Sequence, residues 1–239
     1  MLALFATTSA EARNLSFCYD PYPPYTLGEE GRPSGGSKVR LLEAVIERID
    51  GVTATVELLP WKRCQELVKT GQLDGILPLF PNDERRSYMA FSEPTFLEEY
   101  VFFYHGPSFP EGLHWHGRLD EISHLTLGML TGSYVDAEME RAFTSNGRIQ
   151  RAASIQSLLM MLRHNRVDLV ATDNDVGLFR ARELDLSSDI IRMDHAITAR
   201  ASRFGLSLKT GASQYVEAFN AALAGLRETG DLDRIKAGE

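Results

Sequence analysis

One punctuated unit occurs twice in this chain: a helical stretch ends in a turn that feeds a buried apolar run. Its copies are LVKTGQLDGIL at 67–77 and MLRHNRVDLVA at 161–171. Gly71 and Asn165 stand where a helix end calls for a left-handed residue, and Asp74 and Asp168 introduce the apolar run. Such a run, apolar without alternation, is expected of a strand buried on both faces. Around the first copy the chain reads as strand 14–19, a helix from Ser37, strand 53–59, helix 61–70 and apolar run 73–79. That order requires right-handed crossovers and a sheet covered by helices on both sides. The pattern then restarts. Strand 125–130, a helix opened by Gly132-Ser133, a weak strand at 149–153, a helix carrying Ile155, Leu158, Leu159 and Leu162, and the run 167–171 predict a second lobe built like the first.

Between these blocks, 98–105 and 197–208 are extended and rich in β-formers. Ser37 is placed to cap a helix whose positions Val39, Leu42, Val45, Ile46 and Ile49 share one face. The Pro- and Gly-rich stretch 21–36 reads as a loop, its Gly35-Gly36-Ser37-Lys38 end as a mobile turn. A last amphipathic helix presents Tyr215, Val216, Phe219, Leu223 and Leu226, stops at Gly230, and is followed by a short helix with Leu232 and Ile235. The predicted organisation is a leader remnant at 1–12, the first part of lobe 1 at 13–102, lobe 2 at 103–200, and a return to lobe 1 at 201–239. Two connecting strands would form a hinge, with the ligand site expected in the cleft between lobes.

Composition removes several classes of function. With 44% hydrophobic and 24% charged residues the chain is an ordinary globular one, and a net charge of −8 disfavours nucleic acid or an anionic membrane surface as partner. No apolar run approaches the ~20 residues needed to cross a bilayer. The first dozen residues place an apolar stretch at 2–6, small polar residues at 7–9 and an A-x-A triplet at 10–12, the order of the back half of a secretory signal. The expectation is an exported, periplasmic chain whose mature form begins near Arg13; a plain alanine-rich terminus is the alternative. Two cysteines, Cys18 and Cys64, permit one disulfide in such a protein, and two buried free thiols are the other outcome. There is no G-x-S-x-G or H-E-x-x-H pattern, and His114-Trp115-His116 gives two metal ligands without a third. No catalytic residue, metal or cofactor is expected.

Several short motifs carry a resemblance. They are Asp20-Pro21-Tyr22-Pro23-Pro24-Tyr25 after the first strand, Trp61, the Gly71-Gln72-Leu73-Asp74 turn, and Asp83-Glu84-Arg85-Arg86 leading to Phe91-Ser92-Glu93-Pro94. In the second block they are Gly128-Met129-Leu130-Thr131-Gly132-Ser133 and Val167-Asp168-Leu169-Val170-Ala171-Thr172-Asp173. In order and spacing the chain resembles the family 3 extracellular solute-binding proteins, the amino-acid type of periplasmic binding protein. The resemblance implies a two-lobe type II fold, each lobe a mostly parallel sheet flanked by helices, joined by two crossover strands. It also implies binding of a small zwitterion, an amino acid or related compound, by a monomer that serves an inner-membrane ABC permease.

Carried over residue by residue, the resemblance assigns Arg85 to the ligand carboxylate, a task suited to a permanently charged planar donor. A plain surface pair with Arg86 is the alternative. Ser133 and Tyr134, after Leu130, are expected to begin a helix whose free N–H groups favour the same anion, although Ser133 as a simple cap fits too. Asp173 is assigned to the ligand ammonium, with capping of the next helix as its rival role. Tyr22 and Trp61 are assigned to the ligand side chain, and Trp61 as core filler is the rival there. Two departures stand out. Leu77-Pro78-Leu79-Phe80-Pro81 replaces the family's small residues before the arginine, and Gly36-Ser37-Lys38-Val39-Arg40-Leu41 replaces Gly-Phe-Asp-x-Asp-Leu. An enzyme on the same scaffold, such as a cyclohexadienyl-type dehydratase using Glu84 or Asp173, and a sensory binding subunit are the other readings.

Overall fold

The computed structural model describes residues 12–29, 31–131, 135–145 and 147–238. The leader assigned to 1–12 falls outside them except for Ala12, and so do Ser133 and Tyr134. The elements are β1 (Arg13–Tyr19), β2 (Leu27–Glu29), β3 (Arg32–Gly35), α1 (Ser37–Ile46), β4 (Val52–Leu58), α2 (Trp61–Thr70), β5 (Gly75–Leu79), α3 (Asp83–Arg86), β6 (Met89–Phe91) and β7 (Leu97–His105). They continue with β8 (Leu127–Leu130), α4 (Ala137–Ser145), β9 (Ile149–Ala152), α5 (Ile155–Arg163), β10 (Leu169–Asp173), α6 (Asn174–Glu183), β11 (Ile190–Ala201), β12 (Arg203–Ser207), α7 (Val216–Glu228) and α8 (Asp231–Ala237). Among the described residues no helix is long and apolar enough to cross a membrane.

The chain divides into two compact units, 1–96 with 202–239, and 97–201. The first boundary precedes the expected 102/103 because β7 pairs along its length with β11, and both strands belong to the second sheet. In the first unit the strand order is β4-β1-β5-β12-β6, with only β12 running against the others. In the second it is β11-β7-β10-β8-β9, with only β7 reversed. Both are mixed α/β sheets flanked by helices.

The repeated unit of the sequence has a physical explanation in its aspartates. The Asp74 carboxylate, just before β5, accepts the backbone N–H and the hydroxyl of Ser16 on β1, both at 3.0 Å. The Asp168 carboxylate, just before β10, accepts the N–H of Thr126 beside β8 at 2.8 Å. Each acid pins its incoming strand to the parallel neighbour. Gly71 (φ 78°) and Asn165 (φ 53°) supply the left-handed turn that delivers it.

The first core closes on Phe17, Phe204 and Phe219, with ring centroids 5.2–6.4 Å apart. These come from β1, β12 and α7, so the returning segment completes the hydrophobic centre of the first unit. Phe102, Met129, Phe143 and Leu169 lie at the centre of the second core, with the Trp115 ring 5.0 Å from Phe102.

Three local expectations are corrected. The stretch 21–36 is more than a loop, since β2 and β3 form a short antiparallel hairpin inside it. Ser37 does not cap α1. Gly36 does, at φ 110°, where a Cβ would stand 2.3 Å from the Tyr25 carbonyl oxygen, so only glycine admits that approach. Ser37 is instead the first helical residue, and its buried hydroxyl has no hydrogen-bond partner. In the second unit α4 begins at Ala137 rather than at Ser133, because the Asp136 carboxylate takes the N–H groups of Glu138 and Met139, each at 2.9 Å.

Candidate functional site

In the first unit the expected site residues follow the carboxyl ends of the parallel strands β1, β4 and β5, the edge where open α/β sheets present ligand-binding loops. After β5 the chain reaches Phe80, and the Asn82 side chain caps the single turn α3 by accepting the Arg85 N–H at 2.8 Å. This turn folds the Arg85 side chain back. Nη1 donates to the Phe80 carbonyl at 2.5 Å, and the guanidinium carbon lies 5.1 Å from the Trp61 ring centroid. Nε is buried without a hydrogen-bond partner. Burial pulls the Arg85 pKa below its ordinary value, opposed by Tyr88 and Glu84. Arg86 is exposed, with its guanidinium carbon 5.5 Å from the centroid of the Phe91 ring.

Trp61 is the first residue of α2, set there by Pro60 at the cap position. One turn further on, Cys64 is joined to Cys18 by a disulfide, which ties α2 to the end of β1. Beyond β1 the loop is drawn tight: the Tyr22 N–H donates to the Thr26 hydroxyl at 2.9 Å, and that hydroxyl donates to the Asp20 carbonyl at 2.7 Å. Tyr22 stacks on Tyr25 with centroids 5.9 Å apart. The structure thus joins Arg85 to Trp61 and Tyr22 to Tyr25.

Two residues that sequence reasoning did not assign belong to this edge. Lys38 is buried, with its ammonium 4.7 Å from the centroid of the Tyr25 ring. Asp20 has its carboxyl raised by burial, an effect its own backbone N–H and the Lys38 charge oppose. The signal for both was present: Asp20 opens the first motif, and Lys38 stands where the family motif carries an aspartate.

In the second unit β8 and β10 are parallel, so Leu130 and Asp173 end their strands on the same edge. The Leu130 carbonyl accepts from Arg151 at 3.3 Å. Asp173 is fully buried and its Oδ1 accepts the Val176 N–H at 3.0 Å, which is the capping role for α6. A cavity of about 670 Å³ elsewhere in this unit is lined by Trp115, Arg118, Asp120, Asp136, Met139 and Ile197, and among the described residues no expected site residue borders it. Its Asp136 is committed to capping α4 and Arg118 to Asp120. Among the described residues no group of three His, Cys, Asp or Glu is arranged to hold a metal.

Residues 15–111 match the family model of bacterial extracellular solute-binding proteins, family 3. The family that the motifs resemble is thus also the one whose model matches. No curated protein matches the chain by sequence. Among solved structures, an ancestral cationic amino acid solute-binding protein (AncCDT-1) superimposes with a TM-score of 0.76 at 15% identity, covering 94% of each chain. A histidine kinase sensor domain with similarity to periplasmic binding proteins gives 0.69 at 19%, covering 95% of this chain and 96% of its own. The amino acid ABC transporter substrate-binding protein AbpA of Streptococcus pneumoniae, bound to L-arginine, gives 0.68 at 17%, covering 94% and 93%. At these identities the likeness establishes the fold: a mixed α/β architecture of the periplasmic-binding-protein kind.

Proposed function

We propose that this chain is an exported substrate-binding protein that captures a small zwitterion, an amino acid or related compound, for an inner-membrane ABC permease. Arg85 takes the ligand carboxylate, with Ser133 and Tyr134 beyond Leu130 as further donors. Asp173 takes the ammonium, and Tyr22 and Trp61 hold the side chain.

The observation that carries this reading is the state of Arg85. Its guanidinium is held on an aromatic face, one amino group is spent on a carbonyl, and the buried Nε–H has no acceptor. An unpaired buried donor on a charged group costs on the order of 1–3 kcal/mol, and a carboxylate relieves it with parallel hydrogen bonds. Asp173, fully buried at the end of β10, is the residue assigned to the ammonium.

A dehydratase on the same scaffold would need an acid or base in the site. Glu84 is exposed on α3 rather than enclosed, which favours binding over catalysis. The sensor-domain likeness supports a second destination for the same binding event, a signalling partner in place of a permease.

A thermal-shift screen over amino acids, amines and small carboxylic acids tests the proposal. One or more amino acids is expected to raise the unfolding temperature, since ligand at about 100 times its Kd adds about 2.7 kcal/mol to the native state. A screen in which only amines or only simple carboxylic acids stabilise the protein would contradict it.

A further inference from the structure

We infer that Arg192 is a positioning residue for Asp173, the carboxylate proposed to meet the ligand ammonium. Its guanidinium fastens Asn174, the first residue of α6, to Glu99 on β7, and Asp173 is the cap of that helix. The inference rests on the amino-acid reading above and deepens it.

Each link is a direct contact within the second unit. Arg192 Nε donates to the Asn174 side-chain oxygen at 2.9 Å, and Nη2 donates to Glu99 Oε2 at 3.0 Å. Nη1 donates to the Asp194 carbonyl on the same strand, β11, at 3.3 Å. Asn174 Nδ2 in turn donates to Asp175 Oδ1 at 2.9 Å, so the amide is held at both ends. Asn174 follows Asp173 directly, and Asp173 Oδ1 accepts the Val176 N–H in the first turn of α6 at 3.0 Å. The direction of that carboxylate therefore follows the start of the helix, and the start of the helix follows Arg192.

Packing alone holds α6 weakly, which is why such a fastening matters. Its buried residues are Val176, Gly177 and Ala181, all small. Gly177 lies so close to Phe103 of β7 that a Cβ would stand 2.3 Å from the ring, which sets the depth of the helix at that point. That contact leaves the helix end before it to be fixed by other groups. The ladder beneath is irregular as well. The β7–β11 pairing shifts register between Arg192 and Thr198, and the Arg192–Glu99 ion pair spans the interruption. With 32% and 41% of the two side chains exposed, the pair itself adds little to folding stability. What the guanidinium supplies is a planar fork that meets an amide on one element and a carboxylate on another, a geometry that a lysine ammonium does not impose. A binding group supported in this way keeps the direction that a charge-assisted bond requires.

Calorimetric titration with the standard L-amino acids finds the tightest, which is then compared with the carboxylic acid lacking its amino group (propionate for alanine, glutarate for glutamate). The advantage of the amino acid over its deaminated partner reads the ammonium contact alone. Arg192→Met is expected to cut that advantage by about fivefold or more, the scale of one hydrogen bond, while the deaminated acid keeps its Kd within about twofold. Asn174→Ala cuts the same chain of contacts at its other end and is expected to do the same, with the double variant losing no more than either single one. It also decides the matter if Arg192→Met does not fold. An unchanged advantage in the variants, a loss shared equally by both ligands, or additive losses in the double variant overturns the inference while leaving the amino-acid reading intact. A deaminated acid that binds the wild type as tightly as the amino acid, or binding by no amino acid, overturns that reading and this inference with it.

Discussion

Replacing Arg85 by alanine is expected to weaken binding of the most stabilising amino acid by at least about 2 kcal/mol, roughly 30-fold in Kd. The size follows from what the side chain does. Its guanidinium is set by three local features: the Asn82 cap that turns α3, the Phe80 carbonyl that holds Nη1, and the Trp61 ring beneath it. The group is ordered before ligand arrives, so little side-chain entropy is lost on binding and most of the charge-assisted bonding appears as affinity. Arg86→Ala, altering the exposed neighbour on Phe91, is expected to leave Kd within about twofold, because an exposed charge contributes little. Arg85→Lys keeps the charge and loses the planar pair of donors, and falls between the two. Isothermal titration calorimetry separates these outcomes, and an unchanged Kd in Arg85→Ala would remove Arg85 from the site.

The Cys18→Ala/Cys64→Ala double variant is expected to lose about 4 kcal/mol of stability by the chain-entropy relation for a loop of this length. The two cysteines are 46 residues apart and both fully buried. Their bond also fixes the start of α2, and with it Trp61, against the end of β1. Denaturant unfolding of the wild type and the double variant measures the loss, and a difference under about 1 kcal/mol would show that the bond does not constrain the unfolded chain as supposed. Ligand titration of the variant adds a second readout, since a loosened Trp61 no longer orders Arg85.

What could be read from the sequence followed the strength of the physical signal. The strands β5 and β10 were legible because burial on both faces leaves an uninterrupted apolar run, and their turns because Gly71 and Asn165 adopt positive φ. The hairpin of β2 and β3 was missed because strands of three and four residues with Pro33 and two glycines leave no alternation to read. Ser37 misled by type: serine is a good cap, but the tight contact between α1 and the Tyr25 carbonyl demands glycine one position earlier. The start of α4 was misplaced because a second good capping residue, Asp136, lies downstream.

In the site, the pairing of Arg85 with Trp61 brings together two residues that the motifs named separately. Lys38 and Asp20 were visible only as a departure and a motif's first letter. Their place at this edge is a matter of burial, which residue order does not encode. Asp173 shows the limit from the other direction. Its capping bond is local and could be anticipated from Asp173-Asn174 alone, whereas a role toward a ligand depends on what else approaches its carboxylate.

The central claim is that one molecule presents a carboxylate to Arg85 and an ammonium to Asp173. Calorimetric titration with three forms of the best-binding amino acid tests it: the free amino acid, its methyl ester and its deaminated acid. The amino acid is expected to bind at least about 30-fold tighter than either analogue, because each analogue lacks one of the two charge-assisted contacts. A deaminated acid or an ester that binds as tightly as the amino acid would contradict it.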